Sequence, residues 1–267
     1  MGSIAQDLPY IRTNPKVIFF TDFDGTITID DSNDYLSDTL GFGVEKRRAL
    51  NMAVIEGRMP FRDMFQEMLQ HIDTPFDQCI DILKKNMKLD PGFKAFYEWA
   101  KEHNVPIVIL SSGMIPIIRA LIEVMLGEET DNLTIVANEV EGRNGKDIND
   151  VGGWQIRYRD DSSFGHDKSL EIKPYAALPR GQRPTLLYAG DGVSDLSAAR
   201  ETDLLFAKEG KDLVLYCQRQ GVPYTTFRDW STILATTKRI YDGVTSTERI
   251  AKEAAAAHFG NATAVQV

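Results

Sequence analysis

The chain has 267 residues, 43% of them hydrophobic and 26% charged, enough to bury one large core with a smaller unit inserted and incompatible with disorder throughout. A net charge of −9 gives no basic balance for a general nucleic-acid binder. No apolar run reaches the roughly 20 residues a membrane helix needs, and the opening M-G-S-I-A-Q-D-L-P-Y has no basic-then-apolar pattern, so a cytoplasmic setting away from the bilayer is expected.

The first strong element is V-I-F-F-T, Val17–Thr21, a run suited to the inside of a parallel sheet that ends in D-F-D-G-T. Carboxylates at the mouth of a buried strand are costly unless a cation or donors meet them, so a positive partner is expected beside Asp22 and Asp24. Strand patterning then stops, and apolar residues at helical spacing predict helices over 33–40, 45–56, 61–72 and 76–87, broken by G-F-G, M-P and T-P. Residues 31–89 therefore read as a helical cap, with 1–30 and 90–267 as the core. The cap's apolar stripes, including Met52, Phe65, Met68 and Leu69, read as bundle core, and Arg58 and Arg62 as outward-facing charge.

Further along, short apolar runs predict strands at 106–110, 133–137 and 185–189, the first leading to S-S-G and the last to G-D-G-V-S-D. A hairpin is expected over 138–158, with N-G or G-G turns. The alanine-rich stretch from Ala251 reads as a fraying helix followed by disorder, and the distant Cys79 and Cys217 as buried free thiols. Strands alternating with helices indicate an α/β fold with a Rossmann-like, doubly wound parallel sheet. In such sheets ligands bind beyond the carboxyl ends of the strands, where the three polar ends can converge.

A lone D-x-D more often caps a turn than catalyses. Here it is joined by Asp191 and Asp195, whose spacing can direct two carboxylates to one ion. Oxygen ligands of this kind suit Mg²⁺, which also bridges phosphate oxygens. A carboxylate nucleophile beside a carboxyl acid/base is a sound device for phosphoryl transfer. Lys168, in F-G-H-D-K-S-L, can add fixed positive charge, although singly it reads as a solvated lysine; His166 reads as an exposed loop histidine.

The ordered set D-F-D-G-T, S-S-G, D-K-S and G-D-G-V-S-D resembles the haloacid dehalogenase (HAD) superfamily of phosphohydrolases, from about Val17 to Leu234. The resemblance implies an aspartyl-phosphate mechanism: Asp22 as nucleophile, Asp24 as acid then base, Thr26 steadying the loop, and Ser111, Ser112 and Lys168 holding phosphate. It also implies Mg²⁺ on Asp22, the Asp24 carbonyl, Asp191 and Asp195. The chain looks like the phosphoserine phosphatase branch, and D-S-N-D-Y-L-S-D-T-L-G-F-G resembles fungal polyol phosphate phosphatases. Two departures bear on substrate. Gln66 and Met68 stand where phosphoserine phosphatases carry the R-x-R that grips the serine carboxylate, and Ser194 stands where Asn is frequent.

An uncharged, hydroxylated leaving group follows, with Asp31 either accepting its hydrogen bonds or capping the next helix. Phosphoserine and methionine-salvage enol phosphates stay open as substrates, and a non-catalytic phosphate-ligand binding protein as a different class. The expected partner is a small phosphorylated metabolite, with no nucleic acid and no membrane, on a monomer or homodimer.

Overall fold

The structure is a computed structural model, describing residues 8–127, 130–179 and 181–259. Its sheet has seven strands in the order β4-β3-β2-β1-β5-β6-β7. They are β1 (Val17–Thr21), β2 (Ile107–Met114), β3 (Leu133–Gly142), β4 (Trp154–Arg157), β5 (Thr185–Gly190), β6 (Leu204–Lys208) and β7 (Thr225–Phe227). All neighbours pair in parallel except β3 and β4. Because β1 lies between β2 and β5, the ends carrying D-F-D-G-T, S-S-G and G-D-G-V-S-D meet at one edge.

Helices cover both faces, which is why β1 is buried at every position. Val17 and Phe19 enter one core, where the Phe19 ring centroid lies 4.7 Å from Phe96 and 5.4 Å from Trp230. These rings belong to α5 (Phe93–Glu102) and α10 (Trp230–Tyr241). Ile18 and Phe20 enter the other core, beside Tyr10 and Tyr175 of α7 (Ser169–Ala176). The remaining core helices are α6 (Ile115–Leu126), α8 (Leu196–Ala199), α9 (Asp212–Gln220) and α11 (Thr247–Phe259). The disorder expected after the last helix falls on 260–267, outside the described residues.

Between β1 and α5 lie α1 (Ser32–Leu40), α2 (Val44–Ile55), α3 (Phe61–Leu69) and α4 (Phe76–Asn86). The chain enters and leaves this region side by side: Ile29 N–H donates to the Lys88 carbonyl (2.9 Å) and Asp90 N–H to that of Ile27 (2.8 Å), flanking a bridge between Thr28 and Leu89. The buried Asp90 carboxylate accepts from the backbone N–H groups of Gly92 and Trp230, each at 3.0 Å, fastening this crossing to α10.

Several expectations need correction. β2 continues through S-S-G to Met114 with an irregularity after Leu110, so the serines sit on the strand itself. β6 and β7 are additional to the strands expected. The hairpin pairs Gly142 with Trp154, and both N-G and G-G lie inside its connection, with Asn144, Gly145 and Gly152 at positive φ. Phe65, Met68 and Leu69 are buried as expected, but Met52 is 48% exposed, because its face of α2 turns outward.

Candidate active site

Asp22 leaves β1 with its N–H bonded to the Ala189 carbonyl of β5 (2.8 Å), which fixes its backbone against the strand leading to Asp191. The expected positive partner is Lys168, whose Nζ donates to Asp22 Oδ1 and Asp195 Oδ1, both at 2.6 Å. Far from being a solvated lysine, it is 0% exposed, tethered at the start of α7 beneath the loop. Burial works against the ammonium, but the Asp195 and Asp22 carboxylates outweigh it and raise its pKa. Burial also pushes Asp22 upward, opposed by Lys168 and reinforced by Asp195.

Asp24 points the other way. Its Oδ1 accepts from Ser32 N–H (2.8 Å) and its Oδ2 from Asn33 Nδ2 (3.0 Å), so the first residues of α1 hold it at the cap entrance. Burial, followed by the Asp31 carboxylate, drives its pKa well above the carboxylate range despite the Ser32 bonds. A carboxyl kept protonated by burial can serve as a proton donor, as acid/base chemistry needs. Asp31 caps α1, its Oδ1 accepting from Asn33 and Asp34 N–H at 2.8 and 2.9 Å, and it also lines the cavity.

The loop between Asp22 and Asp24 and the hinge is closed by Thr28, whose hydroxyl accepts from Gly25 N–H (3.2 Å) and reaches the Asp30 carbonyl (2.7 Å). The Thr26 hydroxyl is buried without a partner among the described residues, while its carbonyl accepts from Trp230 Nε1 (2.8 Å). Gly25 sits at φ +71°, and a β-carbon there would collide with Asp191 Oδ2. Only glycine lets the two acidic loops approach this closely.

On β2, Ser111 and Ser112 are held by their carbonyls from outside the cavity. Asn138 Nδ2 donates to the Ser112 carbonyl (2.7 Å), and His166 Nδ1 lies 2.8 Å from that of Ser111. His166 is therefore no exposed loop histidine: it is 2% exposed, carries its proton on Nδ1, and burial pushes its pKa down to about 4. Held this way, Ser111 Oγ accepts from Gly113 N–H (2.9 Å), and Ser112 Oγ is buried at the cavity with no partner among the described residues.

Oxygens of Asp22, Asp191 and Asp195 lie within 4.8 Å of one another, a donor set suited to a hard divalent cation. Burial pushes Asp191 well above its usual range, with the Asp22 and Asp195 charges adding to it, so a cation there relieves a real electrostatic cost. The three carboxylates are not equivalent. Asp195 Oδ1 accepts from Lys168 and Tyr188 (2.5 Å), and its Oδ2 from Asp191 and Gly192 N–H (2.9 and 3.0 Å).

Above this floor is a cavity of about 200 Å³ between core and cap. Asp31, Asn33, Asp34 and Asn51 give it a polar side, and Phe61, Met64, Phe65 and Met68 an apolar one. Met68 thus reaches the cavity, whereas Gln66 lies on a separate groove with Arg62, whose guanidinium stacks 4.5 Å from the Tyr158 ring. Arg58 is exposed as expected. Tyr188, Asn33, Asp34, Asn51 and Lys211 escaped the sequence reading, although Asn33 and Asp34 stand inside D-S-N-D-Y-L-S-D-T-L-G-F-G.

The model for haloacid dehalogenase-like hydrolases matches residues 19–200. A polyol phosphate phosphatase of Saccharomyces cerevisiae is 52% identical over 235 residues, covering 85% of this chain and 95% of that one. Pdp3-interacting factor 1 of Schizosaccharomyces pombe is 49% identical over 219 residues, covering 82% and 93%. Among solved structures, a substrate-bound phosphoserine phosphatase complex has the same fold, with a TM-score of 0.58 at 16% identity over 84% of this chain and 98% of that one. With the paired acidic loops and the buried lysine between them, these similarities mean that the chain belongs to the haloacid dehalogenase-like hydrolase family and is one of its phosphatases.

Proposed function

We propose that the protein hydrolyses phosphate monoesters of small polyols, with Mg²⁺, through an aspartyl-phosphate on Asp22. The observation that carries the substrate class is the leaving-group side of the cavity. Carboxylates and amides line one wall, methionine and phenylalanine the other, and among the described residues no guanidinium lines it. A hydroxylated carbon chain offers both faces such walls need. The carboxylate of phosphoserine would lie among Asp31 and Asp34 with Lys211 as its one nearby cation, a point charge already drawn to Asp191, and without the bidentate guanidinium pair that contributes about 2 kcal/mol elsewhere. Similarity to the yeast polyol phosphate phosphatase supports the same reading.

An Asp22 carboxylate oxygen attacks phosphorus, and the bond from phosphorus to the alcohol oxygen breaks as the Asp24 carboxyl gives that oxygen its proton. The Asp24 carboxylate then takes a proton from water, whose oxygen attacks the phosphoryl group and frees Asp22 and phosphate. Ser32 and Asn33 hold Asp24 between these roles. Ser111, Ser112 and Lys168 receive the phosphate oxygens, with Thr26 in the surrounding loop. Asp22, Asp191 and the Asp24 carbonyl would hold Mg²⁺, which supplies charge to the transferring phosphoryl oxygens when bound. Asp195, with four donors already on its two oxygens, positions Lys168 and the G-D-G loop.

We assign residues 31–89 to the cap and 1–30 with 90–267 to the core, since the paired crossing at Ile27–Ile29 and 88–90 is where rotation would be absorbed. Two buried, unpaired thiols suit a reducing compartment such as the cytoplasm, and no described helix is long and apolar enough to cross a membrane. Phosphate release from glycerol 3-phosphate, ribitol and sorbitol phosphates, phosphoserine and p-nitrophenyl phosphate, with Mg²⁺ and with EDTA, tests the reading. Mg²⁺-dependent preference for polyol phosphates, lost in Asp22→Asn, supports it. A preference for phosphoserine would overturn the argument from the cavity walls, and no turnover on any ester would move the protein to the binding class.

A further inference from the structure

Lys211 is the one cation among the described residues that line the cavity, and it stands between core and cap. Its backbone is fixed: it precedes α9, and the next turn is fastened to the core by the Leu213 N–H bond to the Asp191 carbonyl (2.9 Å). Its side chain is not. It is 47% exposed, makes no capping bond, and lies 3.8 Å from Asp191 Oδ2, a contact too long for a firm ion pair. Across the cavity stands Asp34 of the cap, held by Arg47 Nη1 (2.6 Å), which itself grips Asp38.

Lys211 therefore faces acidic groups on both sides of one cavity, Asp191 of the core and Asp34 of the cap. The cluster at Asp22, Asp191 and Asp195 holds three carboxylates against the single buried Lys168, so Asp191 draws whatever positive charge can reach it. A flexible ammonium on a four-carbon stem can reach it, and a divalent cation on the same carboxylate would repel it. The acidic groups of the cavity lining left to it are then Asp34 and Asp31 on the cap side, with its own neighbour Asp212 at the start of α9 on the core side.

We propose that Lys211 is a positioning residue that competes with the divalent cation for Asp191 and, when displaced, turns to Asp34, so that metal loading draws the cap onto the core. The proposal rests on the assignment of Mg²⁺ to Asp22 and Asp191. It gives order to the reaction: the metal settles first, and the electrostatic tether to the cap follows. It also explains a basic side chain in an otherwise acidic cavity without giving it contact with the reacting atoms.

Calorimetric titration with Mg²⁺ alone, on the full chain without substrate, separates the possibilities. Removing a half-exposed competing charge by Lys211→Met should tighten Mg²⁺ binding about 2- to 5-fold, the range spanned by exposed charge pairs. Lys211→Glu should tighten it further, and Lys211→Arg should stay within about twofold of wild type. A merely structural residue would weaken binding or leave it unchanged. For the cap, hydrogen exchange at Ile29 and Asp90 should slow on adding Mg²⁺ in the wild type, and slow less in Lys211→Met and in Asp34→Asn. Unchanged or weaker Mg²⁺ binding in Lys211→Met overturns the competition, and exchange that ignores Mg²⁺ in the wild type overturns the link to the cap. If the wild type binds no Mg²⁺, the metal assignment fails and this proposal with it.

Discussion

Replacing His166 by Asn should flatten the acid side of the protein's stability curve. In the unfolded chain this imidazole takes up its proton near pH 6.5, whereas in the folded protein burial delays uptake to about pH 4. Between those values the unfolded state holds more protons, so stability falls as pH falls; above pH 6.5 both states are neutral and the group contributes no slope. The difference of about 2.5 units corresponds to roughly 3 kcal/mol in full, of which about 2 kcal/mol is lost by pH 5. The side chain is almost wholly buried, so little of this is discounted for solvent. Asn can still donate to the Ser111 carbonyl, but it cannot titrate. Urea unfolding of both proteins at pH 7.5, 6 and 5 measures the effect, since other groups titrate alike in the two and cancel in the comparison. The variant starts lower because it packs less well, yet the gap should narrow by about 2 kcal/mol on going to pH 5. Parallel curves would refute the reasoning and mean that the imidazole charges freely in the folded protein.

Other perturbations separate support from chemistry. Lys168→Met leaves Asp22 and Asp195 buried without their cation; it should cost about 3–5 kcal/mol at pH 8 and less at pH 5, where Asp22 takes up a proton, and abolish phosphate release at both. Gly25→Ala forces a side chain into positive φ and against Asp191, so thermal unfolding should show a loss of at least ~1 kcal/mol and calorimetry a weaker Mg²⁺ affinity. Asp90→Ala strips the acceptor from two backbone N–H groups at the hinge and should cost about 3 kcal/mol in urea unfolding. Its kcat, measured well below the unfolding midpoint, should stay within about twofold of wild type, because Asp90 does not line the cavity.

What could be read from the sequence is what local pattern encodes. β1 announces itself because all five residues are buried and apolar or β-forming, and α3 and α4 because their apolar stripes keep helical period. β6 was hidden: L-L-F-A-K is as short and apolar as a helix fragment, and its pairing with β5 is a tertiary fact. His166 and Lys168 show the same limit at the site. Nothing in F-G-H-D-K-S-L distinguishes a solvated turn from one driven under the sheet, where the lysine meets carboxylates 146 and 27 residues away in the chain. Nothing beside Asn51 or Lys211 in sequence marks them as cavity-facing, because that depends on how the cap lies over the core rather than on neighbours in sequence.

Asp31 is the most instructive of these residues, since substrate contact and helix cap seemed to exclude each other. In the fold the two are compatible: the cap bond sets the carboxylate at the cavity wall. Its Oδ1 is occupied by Asn33 and Asp34 N–H, and that bond fixes the carboxylate at the start of α1, beside Asp24 and at the cavity wall. The same turn supplies Ser32 N–H and Asn33 Nδ2 to Asp24. Capping therefore does more than satisfy the end of a helix: it orients the donors that hold Asp24, the carboxyl we propose as acid and base, and a cap that moves relative to the core carries these donors with it. Coupling between cap position and the protonation of Asp24 follows from the bonds themselves, and it is why the first turn of α1, rather than the apolar wall opposite, is the part of the cap tied most directly to the chemistry.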